Sequence, residues 1–258
     1  MLSCLSLWQY VCFGSINTYS ELIDLTLVIA GIGTDGVVIA SDRAETNEST
    51  VRMVDKIYPL KCGLFSFAGD LGVAQKIIDG INTIDLSDEP FLSRVEAIEN
   101  VIRSMNKRYK RNGGVSAHFF MSMNDDNGRP VIMFYDDDGT SLKIDSFDTI
   151  GSGSCQALYF LKVLYKPDMT CDELAQIFSF VIQVISESEI NSSVKVSAEF
   201  PTEVYIVHNL NPHKPYRYEN PFSWEMNEDK IRSLNNHISS LFQQEARVEV
   251  RELIKRYW

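Results

Sequence analysis

Apolar and polar positions along this chain switch between two periods, and the switches mark out its elements. From Thr26 the run TLVIAGIGTDGVVIASD holds two stretches rich in Val and Ile around a turn at Asp35-Gly36, the signature of a β-hairpin. A second strand pair is expected in KIYPL and LFSFAG, hinged at Lys61-Cys62-Gly63. The period then lengthens. Leu71, Ala74, Ile77, Ile78 and Ile81 share one helical face, which predicts a helix from Leu71 to Asp85. Phe91, Val95, Ile98, Val101, Ile102 and Met105 do the same for Pro90 to Lys110, with proline near the start, where its missing N–H is no loss. Strands return at Ala117 to Met123, Val131 to Tyr135 and Ser141 to Ile144, joined by NDDNGRP and DDDG, as in a meander. Two more helices are predicted at Cys155 to Tyr165 and Thr170 to Glu187, and a last strand pair at Val194 to Val207.

Runs of one element type, rather than strict alternation, predict an α+β layered fold with mainly antiparallel sheets. From Asn209 the stretch NLNPHKPYRYENP is polar and proline-bearing and reads as a linker. A helix is predicted beyond it, over Asn227 to Tyr257, where Ile231, Leu234, Ile238, Leu241 and Val248 keep near-heptad spacing. The organisation expected is a segment 1–25, one domain over 26–208, and a linker with a C-terminal helical extension over 209–258.

Composition narrows the function. The 258 residues are 45% apolar, enough for a sizeable core, and the net charge of −11 argues against holding nucleic acid or anionic lipid. No apolar run reaches the roughly 18 residues of a membrane span. Five cysteines, Cys4, Cys12, Cys62, Cys155 and Cys171, are odd in number and scattered, as reduced thiols in a cytoplasmic protein would be. Met1 to Leu25 has no Lys or Arg and so lacks the basic start of a secretory signal; it reads as a removable leader or a mis-assigned start. The four histidines, His118, His208, His213 and His237, show neither ligand spacing nor an evident acid or serine partner. Neither a metal, nor another cofactor, nor a Ser-His-Asp triad is expected.

Gly31-x-Gly33-x-x-Gly36 matches a dinucleotide fingerprint in letters, yet the β-branched run Val37-Val38-Ile39 follows where a helix must open. Asp42, only six residues after Gly36, is also too early for a ribose-binding acid. These glycines read as hairpin chemistry.

Four blocks in register, TLVIAGIGTDGVVIASDR, VDKIYPL, FSFAGD and TIGSGS before a helix, resemble proteasome β-subunits from Thr26 to Val207. The resemblance implies a four-layer αββα sandwich of the N-terminal-nucleophile hydrolase type, with Thr26 as nucleophile. Asp42, 16 residues on, matches the family's conserved acid, and Lys56 its catalytic lysine. Gly69 matches the oxyanion-hole glycine and Ser152 the serine of the supporting network. Glu189 and Ser192 fall where the family usually has aspartate and serine. Ala44, Val54 and Phe67 match positions lining the first specificity pocket, which implies a preference for apolar side chains. The partners implied are polypeptide substrates, related or identical subunits in an oligomeric ring, and an ATPase or other regulator.

The chemistry is coherent apart from the resemblance. A threonine hydroxyl is a poor nucleophile without a base in reach. As a first residue, Thr26 carries its own base, an α-amino group whose ordinary pKa is about 8. Such a mechanism needs residues 1–25 gone. Leu25 stands where self-cleaving relatives have glycine, so a second expectation is a non-standard start codon at Leu25, with the initiator trimmed because Thr26 is small. Two alternatives share the fold: a non-catalytic structural subunit, and a peptide ligase or transpeptidase resembling archaeal connectases. The latter differs only in whether water or an amine accepts the acyl group.

Overall fold

The computed structural model describes residues 26–46, 51–86, 88–109, 117–186, 194–197, 201–209 and 215–218. Strand β1 (Leu27–Gly33) turns at Thr34-Asp35 into β2 (Gly36–Ser41), as the hairpin pattern predicts. Val28, Ala30, Val37 and Ile39 point to one side of this hairpin. A short hairpin, β3 (Ala44–Thr46) with β4 (Val51–Met53), leads to β5 (Ile57–Leu60) and β6 (Gly63–Ala68). Helix α1 (Leu71–Asn82) opens on Asp70, whose side chain accepts the Val73 N–H at 2.9 Å. It stops three residues before the predicted Asp85, where the Thr83 N–H and hydroxyl both turn back to the Gly80 carbonyl.

Helix α2 (Phe91–Tyr109) follows, then β7 (His118–Asn124), β8 (Pro130–Tyr135), β9 (Ser141–Ile144) and β10 (Phe147–Gly151). Helices α3 (Ser154–Leu164) and α4 (Cys171–Ser186) precede β11 (Glu203–His208) and β12 (Tyr216–Arg217). Two five-stranded sheets result, ordered β10-β1-β2-β11-β12 and β5-β6-β7-β8-β9, with antiparallel neighbours throughout. The expected meander is β7-β8-β9, part of the second of these.

Burial explains the sheets' apolar runs. Val28, Ala30, Val37, Ile39 and Ile150 of the first sheet pack on Leu64, Ala68, Phe120 and Ile132 of the second. The other side chains of β6 and β7, Phe65, Phe67, Phe119 and Met121, meet Ala74 and Ile77 of α1 and Ile98 and Ile102 of α2. Each fully buried Val, Leu, Ile, Phe or Met among them contributes about 1.5–3 kcal/mol. Helix α4 lies against β1, β2 and β11. A Cβ on Gly31 would sit 2.5 Å from the Phe178 ring, so this glycine lets α4 approach the sheet. Gly31, Gly33 and Gly36 all lie in the hairpin strands, as expected, and none opens a helix.

Two strand predictions need correction. Val194 to Ser197 is not a strand, so the last pair is instead β11 with β12. Strand β12 falls within the stretch read as linker. Strand β10 and the β3–β4 hairpin are short and rich in polar residues, and no period in the sequence marks them. The Asn227 to Tyr257 helix and the segment 1–25 lie outside the described residues.

Candidate active site

The N-terminal end of β1 meets the C-terminal ends of β6 and β10, and Thr26, Asp42, Lys56, Gly69 and Ser152 lie around that junction. Thr26 is buried just before β1. Its carbonyl oxygen accepts the Ser152 hydroxyl at 3.3 Å and the Gly153 N–H at 3.5 Å. Gly151 has a φ of +100°, and a Cβ there would lie 2.1 Å from the Thr26 oxygen and 3.3 Å from the Ala68 Cβ. Both the backbone conformation and the space therefore demand glycine. Gly69, next after Ala68, has a φ of +129°, a conformation in which side chains are strained.

Asp42 and Lys56 lie one strand over. Both are almost fully buried, at 0% and 2% exposure. The Lys56 ammonium donates to both Asp42 carboxylate oxygens at 3.0 Å and to the Ala44 carbonyl at 2.8 Å. Asp42 Oδ1 also accepts the Leu27 N–H at 2.8 Å, so the ion pair reaches the peptide that joins Thr26 to Leu27. Burial pushes the Asp42 carboxyl above its ordinary value, against the pull of the Lys56 ammonium and the Leu27 N–H. A buried pair is tolerable only when its donors and acceptors are met, and three hydrogen bonds from Lys56 and Leu27 converge on this carboxylate.

Glu203 completes the surroundings and was missed by sequence reasoning. It is 1% exposed at the start of β11, and its Oε2 accepts the Lys56 N–H at 3.1 Å and the Ile57 N–H at 3.3 Å. Burial raises its carboxyl above the ordinary value, against the Lys56 N–H bond. The available signal was an acid opening the otherwise apolar run EVYIVH.

The pocket candidates sit differently. Ala44 is fully buried and lends its carbonyl to Lys56, while the half-buried Val54 donates its N–H to the Arg43 carbonyl at 2.8 Å. Phe67 is 2% exposed, packed among the α1 and α2 side chains with its ring 6.2 Å from that of Tyr58. Glu189 and Ser192 lie outside the described residues. Val194, just beyond them, comes within 3.0 Å of the Cβ position of Gly153.

The histidine reading is corrected by the fold. His118 Nε2 lies 3.1 Å from Asp136 Oδ1, and His208 Nδ1 lies 3.4 Å from Asp35 Oδ2. Each has an acid partner that linear spacing could not reveal.

Residues 26–199 match the family model of proteasome subunits, most of the chain and all of this site's β1, β6 and β10 contributions. The chain belongs to the proteasome subunit family. Solved structures agree on the proteasome-type fold. Anbu, described as an ancestral beta-subunit, from Yersinia bercovieri is 15% identical, covers 85% of this chain and 97% of its own, and has a TM-score of 0.67. Anbu from Hyphomicrobium sp. strain MC1 is 17% identical over 85% of this chain and 96% of its own, at a TM-score of 0.60. At such identity these likenesses concern the fold alone. Membership in the proteasome subunit family is compatible with oligomeric assembly and with hydrolase chemistry. Among the described residues, no helix is long and apolar enough to cross a membrane.

Proposed function

We propose that this chain is a threonine peptidase of the proteasome type, cutting polypeptides with Thr26 once residues 1–25 are absent, inside an oligomeric ring in the cytoplasm. One observation carries the reading: the buried Lys56–Asp42 pair bonds to the amide of the residue that follows Thr26. A fully buried lysine is rare, and a purely structural pair is often no better than apolar packing. Helices α1 and α2, packed on one face of the second sheet, and α4, packed on the first, support a four-layer αββα arrangement.

In this mechanism the Thr26 α-amine takes the hydroxyl proton while Oγ attacks the substrate carbonyl carbon. The Gly69 N–H meets the oxyanion, and the amine returns the proton to the departing amine. Water then hydrolyses the Thr26 ester. Lys56, oriented by Asp42, keeps the field around Oγ positive, which favours its deprotonated form. Ser152 holds the Thr26 backbone, with Glu189 and Ser192 assigned to the same network. Ala44, Val54 and Phe67 are assigned to the pocket for the apolar residue before the scissile bond, and an ATPase or other regulator would feed the ring.

The reading is tested by releasing a chain that begins at Thr26 from a cleavable fusion and supplying fluorogenic peptides. Cleavage is expected to favour apolar residues before the scissile bond, and Thr26→Ala should lower turnover by about 10⁴-fold or more with assembly intact. Leu25, bulky where the chain would have to bend for self-cleavage, favours a second reading as a non-catalytic subunit. An assembled ring that starts at Thr26 and cuts nothing would establish that reading instead. Peptides joined in the presence of an amine acceptor would point to a ligase.

A further inference from the structure

The far end of the β1–β2 hairpin gathers three unlike donors. Asp35 lies in the turn, Cys171 is the first residue of α4, and His208 is the last of β11. One carboxylate oxygen, Sγ and one imidazole nitrogen all lie within 4.8 Å of one another. Tetrahedral zinc, with bonds of about 2.0–2.3 Å, holds its ligands roughly 3.3–3.8 Å apart, so closure asks for a contraction of roughly 1 Å.

Main-chain bonds preset the arrangement. The Cys171 N–H donates to Asp35 Oδ1 at 2.8 Å, Thr34 N–H to the Met169 carbonyl at 2.8 Å, and Asn209 N–H to the Asp35 carbonyl at 2.8 Å. A Cβ on Gly33 would stand 3.2 Å from Cys171 Sγ, so that glycine keeps the space beside the sulfur free. His208 is oriented from both sides. Its Nδ1 faces Asp35, and its Nε2 lies 3.1 Å from the Tyr216 hydroxyl, with the two rings stacked at 5.5 Å. A second ring nitrogen bonded to an oxygen is how metal-binding histidines are usually held.

We propose that Asp35, Cys171 and His208 bind one divalent metal ion of zinc's class, with a water in the fourth position. The donor set of thiolate, imidazole and carboxylate suits zinc, whereas magnesium and calcium prefer oxygen alone. Thiolate and carboxylate charges balance the ion, and the neutral imidazole adds none. The Cys171 S–H bond gives its proton to solvent as the sulfur–metal bond forms. His208 and Asp35 are partly exposed, at 30% and 45% of their side chains, which leaves an entry path.

The test uses the full chain, stripped with a chelator and titrated with Co²⁺ as a spectroscopic probe. One equivalent is expected to give a thiolate-to-cobalt charge-transfer band with tetrahedral visible bands, both erased by Zn²⁺. Cys171→Ser should remove the charge-transfer band. His208→Ala should weaken Co²⁺ binding tenfold or more while keeping that band at saturation. A wild-type spectrum without the band overturns the proposal, and so does a band that survives Cys171→Ser, because the metal then sits on another cysteine. Should Cys171→Ser fail to fold, His208→Ala and Asp35→Asn decide, and unchanged Co²⁺ affinity in both refutes the site. No peptidase activity enters these readouts.

Discussion

The two ends of the β1–β2 hairpin, roughly 23 Å apart at 3.3 Å per residue, solve the same problem of holding charge in opposite ways. At the Thr26 end, Asp42, Lys56 and Glu203 are shut away from water at 0%, 2% and 1% exposure, and each carries bonds to neighbouring strands. At the Asp35 end, the acid and His208 are part-exposed, and only Cys171 is fully buried. Buried charge has no solvent to fall back on, so the first end is brittle and tightly specified. The second has water as a substitute partner and tolerates change, unless an ion occupies it.

Lys56→Met should break this contrast most severely. Methionine fills most of the space but leaves Asp42 buried with its paired cation gone, an arrangement that costs about 3–5 kcal/mol. The shift in the urea midpoint measures it, and a loss below about 1 kcal/mol would mean that the pair is already wet. Gly151→Ala comes next. Its positive φ costs about 1–3 kcal/mol for a non-glycine residue, and the new Cβ would press on the Thr26 carbonyl. Thermal melting should show the loss, and turnover of the Thr26 chain should fall with it because the nucleophile's backbone moves.

How much of each end could be read from the residues differs for the same physical reason. The hairpin, helices α1 and α2 and the β7–β9 meander are strongly periodic, and their burial follows that period. Strands β3, β4 and β12, with three, three and two residues, are too short for any period to register, and β10 reads FDTIG, polar in two of its five places. Thr26, Asp42 and Lys56 are legible because they sit in short motif blocks close together in sequence. Glu203 lies 147 residues from Lys56, and Asp35 lies 136 from Cys171, so only the fold brings these partners together. The glycines misleadingly spaced as a nucleotide fingerprint were legible as hairpin residues, but their second role under α4 was not.

Glu203→Gln sharpens the comparison through pH. The folded Glu203 carboxyl sits above its ordinary value of 4.5, so its stabilising contribution is fully present below that value and is lost as pH rises through the folded value. Both N–H bonds end on one oxygen, Oε2, so the single amide oxygen of glutamine can accept both, and it cannot ionise. The melting temperature of the parent chain relative to Glu203→Gln should therefore fall as pH is raised from about 4 towards neutrality. A gap that widens in the parent's favour over that range would show that the two N–H bonds outweigh burial.

The smallest effect belongs to Asp35→Asn in a chelated sample. Asp35 keeps 45% of its side chain in water, and asparagine presents the same oxygen to the Cys171 N–H. Its attraction to His208 is screened, as exposed pairs generally are, so the change should cost no more than about 1 kcal/mol in urea. The same chemical replacement at Asp42 removes the countercharge of a 2%-exposed lysine and belongs with the large effects. Equal losses at the two sites would mean that exposure does not set the tolerance. With Zn²⁺ present, the Asp35→Asn chain should fall further behind the parent, because an ion bound only to the folded state stabilises in proportion to the logarithm of its affinity.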